Sequence, residues 1–163
     1  MSFNPDQHRA KAKQLAKENK AFLERLNKKP PKDLDIRVAD FHDEAFEKHD
    51  CLTCANCCKS ISPIIIDRDI DRMAKHLKIR PSELIEKHLR LDSDGDYVYR
   101  SSPCPFLMSD NYCMIYEVRP RACREYPHTD RKRFHQITQL TYHNTSVCPA
   151  VLDVVEKLKQ SYL

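Results

Sequence analysis

Between residues 6 and 28 the apolar positions Ala12, Leu15, Ala16, Phe22, Leu23 and Leu26 recur at three- and four-residue steps, with lysines between them. That periodicity predicts an amphipathic helix, ended by Pro30 and Pro31. Val38, Phe41, Ala45 and Phe46 predict a second helix over 35–48. Residues 61–66 are apolar and extended in character. Asp67 is expected to cap a helix over 68–77, and Pro81 to open another through Leu89. Tyr97-Val98-Tyr99 alternates like a short strand. Residues 106–108 and 112–115, on either side of the polar Ser109-Asp110-Asn111, predict a β-hairpin. Pro120 begins one helical turn carrying Cys123, and 131–142 reads as helical. Pro149 opens a last amphipathic helix with Val151, Leu152, Val155 and Leu158 inward. The expected fold is therefore an α-rich α+β chain. A basic helical extension covers 1–30, and a small single domain with a short hairpin covers 31–163.

Charge changes this picture only at the front. Residues 1–29 carry eight Lys/Arg against three Asp/Glu, which leaves residues 30–163 close to neutral. A near-neutral body lacks the broad basic face of a nucleic-acid binder, so nucleic acid is an unlikely partner. The lysine face of the first helix is most simply a solvated face, and it is also the surface on which a protein partner is expected. No apolar stretch resembles an export signal or a membrane span, which predicts a cytoplasmic protein. The only glycine is Gly95, which excludes glycine-rich phosphate loops. Its setting, Asp92-Ser93-Asp94-Gly95-Asp96, superficially matches a calcium loop. The glycine comes two positions early, however, and Pro103 stands where the bidentate glutamate would be, so a polar turn is expected.

Candidate chemistry is concentrated in sulfur. Cys51, Cys54, Cys57 and Cys58 form a C-x2-C-x2-C-C run, and Cys104, Cys113, Cys123 and Cys148 follow. In a reducing compartment such thiols serve as ligands rather than as disulfides. Zinc would be satisfied by four of them. Three thiols at two-residue gaps also suit one corner of an iron–sulfur cluster, and Cys104 and Cys148 each precede proline, as the closing ferredoxin cysteine does. An iron–sulfur cluster, [4Fe-4S] in type, is favoured over zinc. Adjacent side chains diverge, so Cys57 and Cys58 imply either two sites or one spare thiol, and Cys58 is the expected spare. Cys148 falls at the N-cap of the last helix, where the helix dipole favours a thiolate. Arg119, Arg121 and Arg124 surround Cys123 and are expected to offset the negative charge of a thiolate-bound metal or to bind an anionic ligand. His49 and His128 lie near cysteines, but surface histidine is the simpler reading.

The ordered pattern resembles the CxxCxxCC family of zinc- or iron-chelating proteins, the YkgJ-like cysteine-cluster proteins. The resemblance rests on the run itself, Cys104-Pro-Phe-Leu107, Cys113-Met-Ile-Tyr-Glu-Val-Arg-Pro120, Cys123-Arg-Glu-Tyr-Pro127 and Cys148-Pro149. All eight cysteines find a place in it. Ala55-Asn56 departs from the glycine that many members carry beside the run. The resemblance implies metal chelation and leaves the metal open. Flagellin lysine methylases are similar through the same cysteine motif, so a metal-dependent enzyme acting on a protein side chain or S-adenosylmethionine is an alternative. A zinc-stabilised interaction module is a third reading. No catalytic residue is legible.

Overall fold

The computed structural model describes residues 3–163, so the first two residues of the expected extension lie outside it. It is helix-rich with one short antiparallel hairpin, and its contacts divide it into two compact units. The first unit comprises Met1–Cys54 and Pro127–Leu163, and the second comprises Ala55–Tyr126.

In the first unit α1 spans Pro5–Lys28, α2 Leu34–Lys48 and the single turn α3 Cys51–Cys54. Asn4 caps α1, its side-chain oxygen accepting from the N–H groups of Asp6 and Gln7 at 3.0 and 3.1 Å. The apolar stripe read from the sequence enters the core through Phe22, Leu23 and Leu26, while Lys11, Lys13, Lys17 and Lys20 stay exposed. These side chains pack on Leu34, Val38 and Ala45 of α2, and on Phe134 and Ile137 of a short 3-10 turn. That turn leads into the helix Thr138–Thr145. The last helix, Pro149–Tyr162, buries Ala150, Val151, Val154, Val155 and Leu158 in the same core.

The second unit begins with α4, Asn56–Ser60, followed by α5, Asp67–Leu77, and α6, Pro81–His88. Strands β1 (Leu89–Leu91) and β2 (Tyr97–Tyr99) pair antiparallel, with Leu89 opposite Tyr99. A 3-10 turn at Tyr116–Val118 leads into α7, Arg121–Glu125; Thr138–Thr145 is α8 and Pro149–Tyr162 is α9. The unit's core gathers Ile65, Ile70, Met73, Ala74, Leu84, Leu89, Tyr99, Phe106 and Ile115.

Two local expectations are corrected. The hairpin is not at 106–115 but at 89–99, closed by the acidic turn. There the Asp92 carboxylate accepts from Asp94 N at 2.9 Å and Asp96 N at 3.0 Å, and Gly95 takes a left-handed φ of 83°. Residues 106–115 do fold back, with Met108 N donating to Tyr112 O and Met114 N to Phe106 O, both at 2.8 Å. Only the single bridge Leu107↔Cys113 forms. Pro105 supplies no N–H before the segment, and beyond it the chain enters the 3-10 turn, so the ladder cannot lengthen. Asp67, expected as a cap, is instead the first residue of α5. Asp69 does the reaching back, its carboxylate accepting from Ile66 N at 3.2 Å.

Gly95 meets no heavy atom within 4 Å where a Cβ would stand, so alanine there tests the backbone alone. Gly95→Ala is expected to destabilise the protein by about 1 kcal/mol, the ordinary cost of a left-handed non-glycine residue, measured by urea unfolding.

Candidate metal centre

The eight cysteines carry thiols rather than disulfides, and the two units share them unevenly. In the first unit Asp50 begins the turn that carries two of them. Its carboxylate accepts from Leu52 N at 2.9 Å, and its carbonyl accepts from Thr53 N and Cys54 N, each at 3.1 Å. That N-cap winds residues 51–54 into α3 and sets Cys51 and Cys54 three residues apart on one side of a helical turn. Cys148 stands at the N-cap of α9, as the sequence predicts, with Cys148 N donating to Asn144 O at 2.8 Å. Burial pushes its thiol up to about 12, against the pull of the N–H groups of Val151 and Ala150, and nearby Cys54 and Cys51 raise it further. These three sulfurs form one electrostatic group.

Beside it His49 Nε2 lies 2.7 Å from Asp153 Oδ2. A cavity of about 320 Å³ is lined by His49, Lys48, Asp50, Thr53, Cys54 and Pro149, with Phe3 at its edge.

In the second unit the loop before Cys104 is tied to α4. Cys104 N donates to Cys58 O at 2.8 Å, and Ser102 Oγ to Lys59 O at 2.9 Å. The bridge at Leu107↔Cys113 places Cys113 near the same core, against which both Cys104 and Cys113 pack. Cys123 sits in α7, whose position is fixed by a buried hub. The Asp69 carboxylate, 1% exposed, accepts from Arg72 at 2.7 Å and from Arg121 N at 3.1 Å, while Arg72 also donates to Arg119 O at 2.9 Å.

Cys58, Cys104, Cys113 and Cys123 form the second electrostatic group. Burial pushes Cys104 up to about 11 and Cys123 up to about 12; Cys58 and Cys113 add to both shifts, and Cys104 adds to that of Cys123. Burial also raises Cys113, with Cys58 adding to it. Cys58 moves the opposite way, to about 7, because the Cys57 side chain hydrogen-bonds to it. Cys58, the expected spare, is the member of the run whose carbonyl accepts from Cys104 N.

The hydroxyl of Tyr99, a residue 3% exposed, hydrogen-bonds with Cys104. Burial and the charges of Cys104, Cys123 and Cys113 drive the phenol far above its usual range. Of the three arginines expected to serve an anion, Arg119 lies close enough to Cys113 and Cys123 to favour their thiolates, and it stacks 4.0 Å from the Tyr116 ring centroid. Arg121 directs its guanidinium to Glu125 at 2.6 Å, and Arg124 is exposed.

The donor chemistry suits a soft metal, because Cys104 and Cys113 share one apolar setting and Arg119 lies near Cys113 and Cys123. The thiols nevertheless remain spread. Among the described residues no three His, Cys, Asp or Glu side chains stand close enough to hold a metal ion. Ligation would require deprotonation and inward rotation of side chains whose backbone positions are already set. Sequence reasoning missed Asp50, Asp69 and Tyr99. Asp50 carried a legible signal, a capping residue immediately before a short helical turn, whereas Asp69 and Tyr99 act only across the fold.

Loss of the Asp69 hub should disorder the second group. Asp69→Ala is expected to cost about 2–4 kcal/mol in denaturant unfolding, because Arg72 and the Arg121 N–H lose a buried charged acceptor, and to lower the metal content of the purified protein.

Comparison with known proteins agrees with this chemistry. Neither a curated protein nor a solved structure matches the chain. Among the described residues no helix is long and apolar enough to cross a membrane. Residues 50–149 match the CxxCxxCC profile, described as a putative zinc- or iron-chelating domain, and these residues include every cysteine of the chain. The chain belongs to the CxxCxxCC family, and zinc or iron chelation by cysteines is the property that membership supports.

Proposed function

We propose that the chain is a thiolate metal-binding module whose resident group is an iron–sulfur cluster of the [4Fe-4S] type, used in redox or metal handling. The observation that carries the reading is that Cys104 and Cys113 pack against one apolar core while Cys104 N donates to Cys58 O at 2.8 Å. Four thiolates around a metal or cluster leave net negative charge. Arg119 beside Cys113 and Cys123 supports charge compensation of that kind. The consecutive two-residue gaps of the run, and the prolines after Cys104 and Cys148, favour the cluster over a single zinc. The reading carries a reducing, cytoplasmic setting with it, since thiols serve as ligands only while reduced.

A second reading, a metal-dependent enzyme, draws on the cavity at Cys54, where His49 is held by Asp153 beside sulfur. It needs a substrate of which the cavity gives only the size.

Anaerobic purification followed by iron, acid-labile sulfide and zinc analysis, with a visible absorption spectrum, tests the choice of metal. Iron and sulfide in equal amounts with a brown chromophore are expected. A colourless protein holding zinc and no labile sulfide, even after anaerobic reconstitution, would replace the cluster with zinc. Chelation is expected to lower the far-UV helical signal and the melting temperature, since binding at such sites is coupled to folding. An unchanged melt in protein verified to be metal-free would contradict a structural contribution from the metal.

A further inference from the structure

We propose that the lysine stripe of α1, together with the groove between α1 and α8, is a docking site for an acidic peptide segment of a protein partner. Both lie within the first unit, and neither uses a cysteine.

The stripe is built against the helix's own stability. Arg9, Lys13, Lys17 and Lys20 follow one another at three- and four-residue steps, so they share one exposed side of α1. Like charges at that spacing repel and weaken the helix that carries them. Elsewhere the chain does the opposite: Arg37 and Asp33, Lys87 and Glu83, and Arg121 and Glu125 are ion pairs at the same four-residue step. In the stripe only Arg9 is paired, 3.9 Å from Asp6. Among the described residues Lys13, Lys17 and Lys20 make no ion pair. Cations left to repel one another are stabilised when an anion covers them.

The groove continues the stripe. A cavity of about 470 Å³ is walled on α1 by Lys20, Glu24 and Lys28, and opposite them by Gln136, Gln139 and His143. Asn27 Nδ2 donates to His135 O at 2.6 Å, which ties the end of α1 to the facing segment. That segment is free of acid: from Arg131 to Leu152 there is no Asp or Glu, and Arg131, Lys132 and Arg133 at its start are exposed. Glu24 is the one carboxylate among the lining residues. Walls that gather cations and leave out carboxylates are complementary to an anion.

Two features favour a peptide over a nucleic acid. The cations of the groove form one row rather than a broad face, and they are lysines, without the bidentate phosphate fork of arginine. Leu23 and Tyr142 also line the groove, offering an apolar seat for one side chain, and the amides of Gln136 and Gln139 suit both the N–H and C=O groups of a peptide.

The test uses the full chain as purified and a fluorescein-labelled, glutamate-rich peptide of about ten residues with one central leucine. Binding is read by fluorescence anisotropy. Wild-type protein is expected to bind the peptide and to lose at least about tenfold in affinity between about 50 and about 300 mM salt. Lys17→Glu is expected to weaken binding at least about tenfold, and to raise the melting temperature of the free protein by ending the repulsion with Lys13 and Lys20. Lys20→Ala/Lys28→Ala should weaken binding with metal content and far-UV circular dichroism unchanged. No binding by wild-type protein, binding that resists both variants, or equal binding of a control peptide with lysine for glutamate would overturn the site. A Lys17→Glu protein that melts below wild type would overturn the repulsion on which the assignment stands. Tighter binding of a single-stranded oligonucleotide of equal charge, lost in the same variants, would overturn the peptide assignment.

Discussion

Close burial of thiols is the constraint on which the rest of the structure depends. A neutral thiol is buried cheaply, as a small apolar group, whereas a thiolate in the same place lacks solvent and repels its neighbours. The second unit places Cys104, Cys113 and Cys123 where both penalties operate, and both push these thiols above the ordinary range. A bound cation removes both penalties together, since it supplies the opposite charge that each sulfur lacks. The framework can wait for that cation because it does not rely on sulfur for its backbone. Asp69, Arg72 and the carbonyls of Cys58 and Arg119 hold the segments by ordinary hydrogen bonds.

Much of the helical framework was legible because it obeys local rules. The stripe of Phe22, Leu23 and Leu26, the paired prolines after the first helix, and Pro149 following Cys148 all act within a few residues of themselves. The structure accordingly places α1, α2 and α9 close to where periodicity predicts them. The hairpin was harder to locate. Residues 106–115 have apolar flanks and a polar turn, yet proline at one end and a 3-10 turn at the other confine them to one bridge. The acidic turn at 92–96 looked like a failed calcium loop and proved to be the true hairpin closure, because a single carboxylate can bind two backbone N–H groups as well as it can bind a metal.

The cysteine constellation shows where sequence spacing stops being informative. Steps of three residues from Cys51 to Cys57 suggest one continuous wrap around one centre. The backbone turns left-handed at Ala55, with a φ of 46° between α3 and α4, and nothing in the periodicity of the sulfurs foretells that break. The one local hint lay in the family resemblance, since many members carry glycine beside the run and a left-handed residue is what glycine accommodates without strain. Cys58 shows the same limit. Adjacent cysteines diverge, so spacing alone does not separate the two, and it is the tie of the loop at 102–104 back to α4 that brings the Cys104 backbone to Cys58.

Ala55 also explains why the break is stable. A left-handed alanine costs about 1–2 kcal/mol, so the conformation persists only where surrounding contacts fix it. Here the Ala55 carbonyl accepts from Lys59 N at 3.1 Å as the first bond of α4, and the residue is 5% exposed, so reversing φ would forfeit a helix start at a buried position. Glycine at this point would relieve the strain but would let the joint sample both hands. Alanine holds one of them, which fixes the backbone at the start of α4.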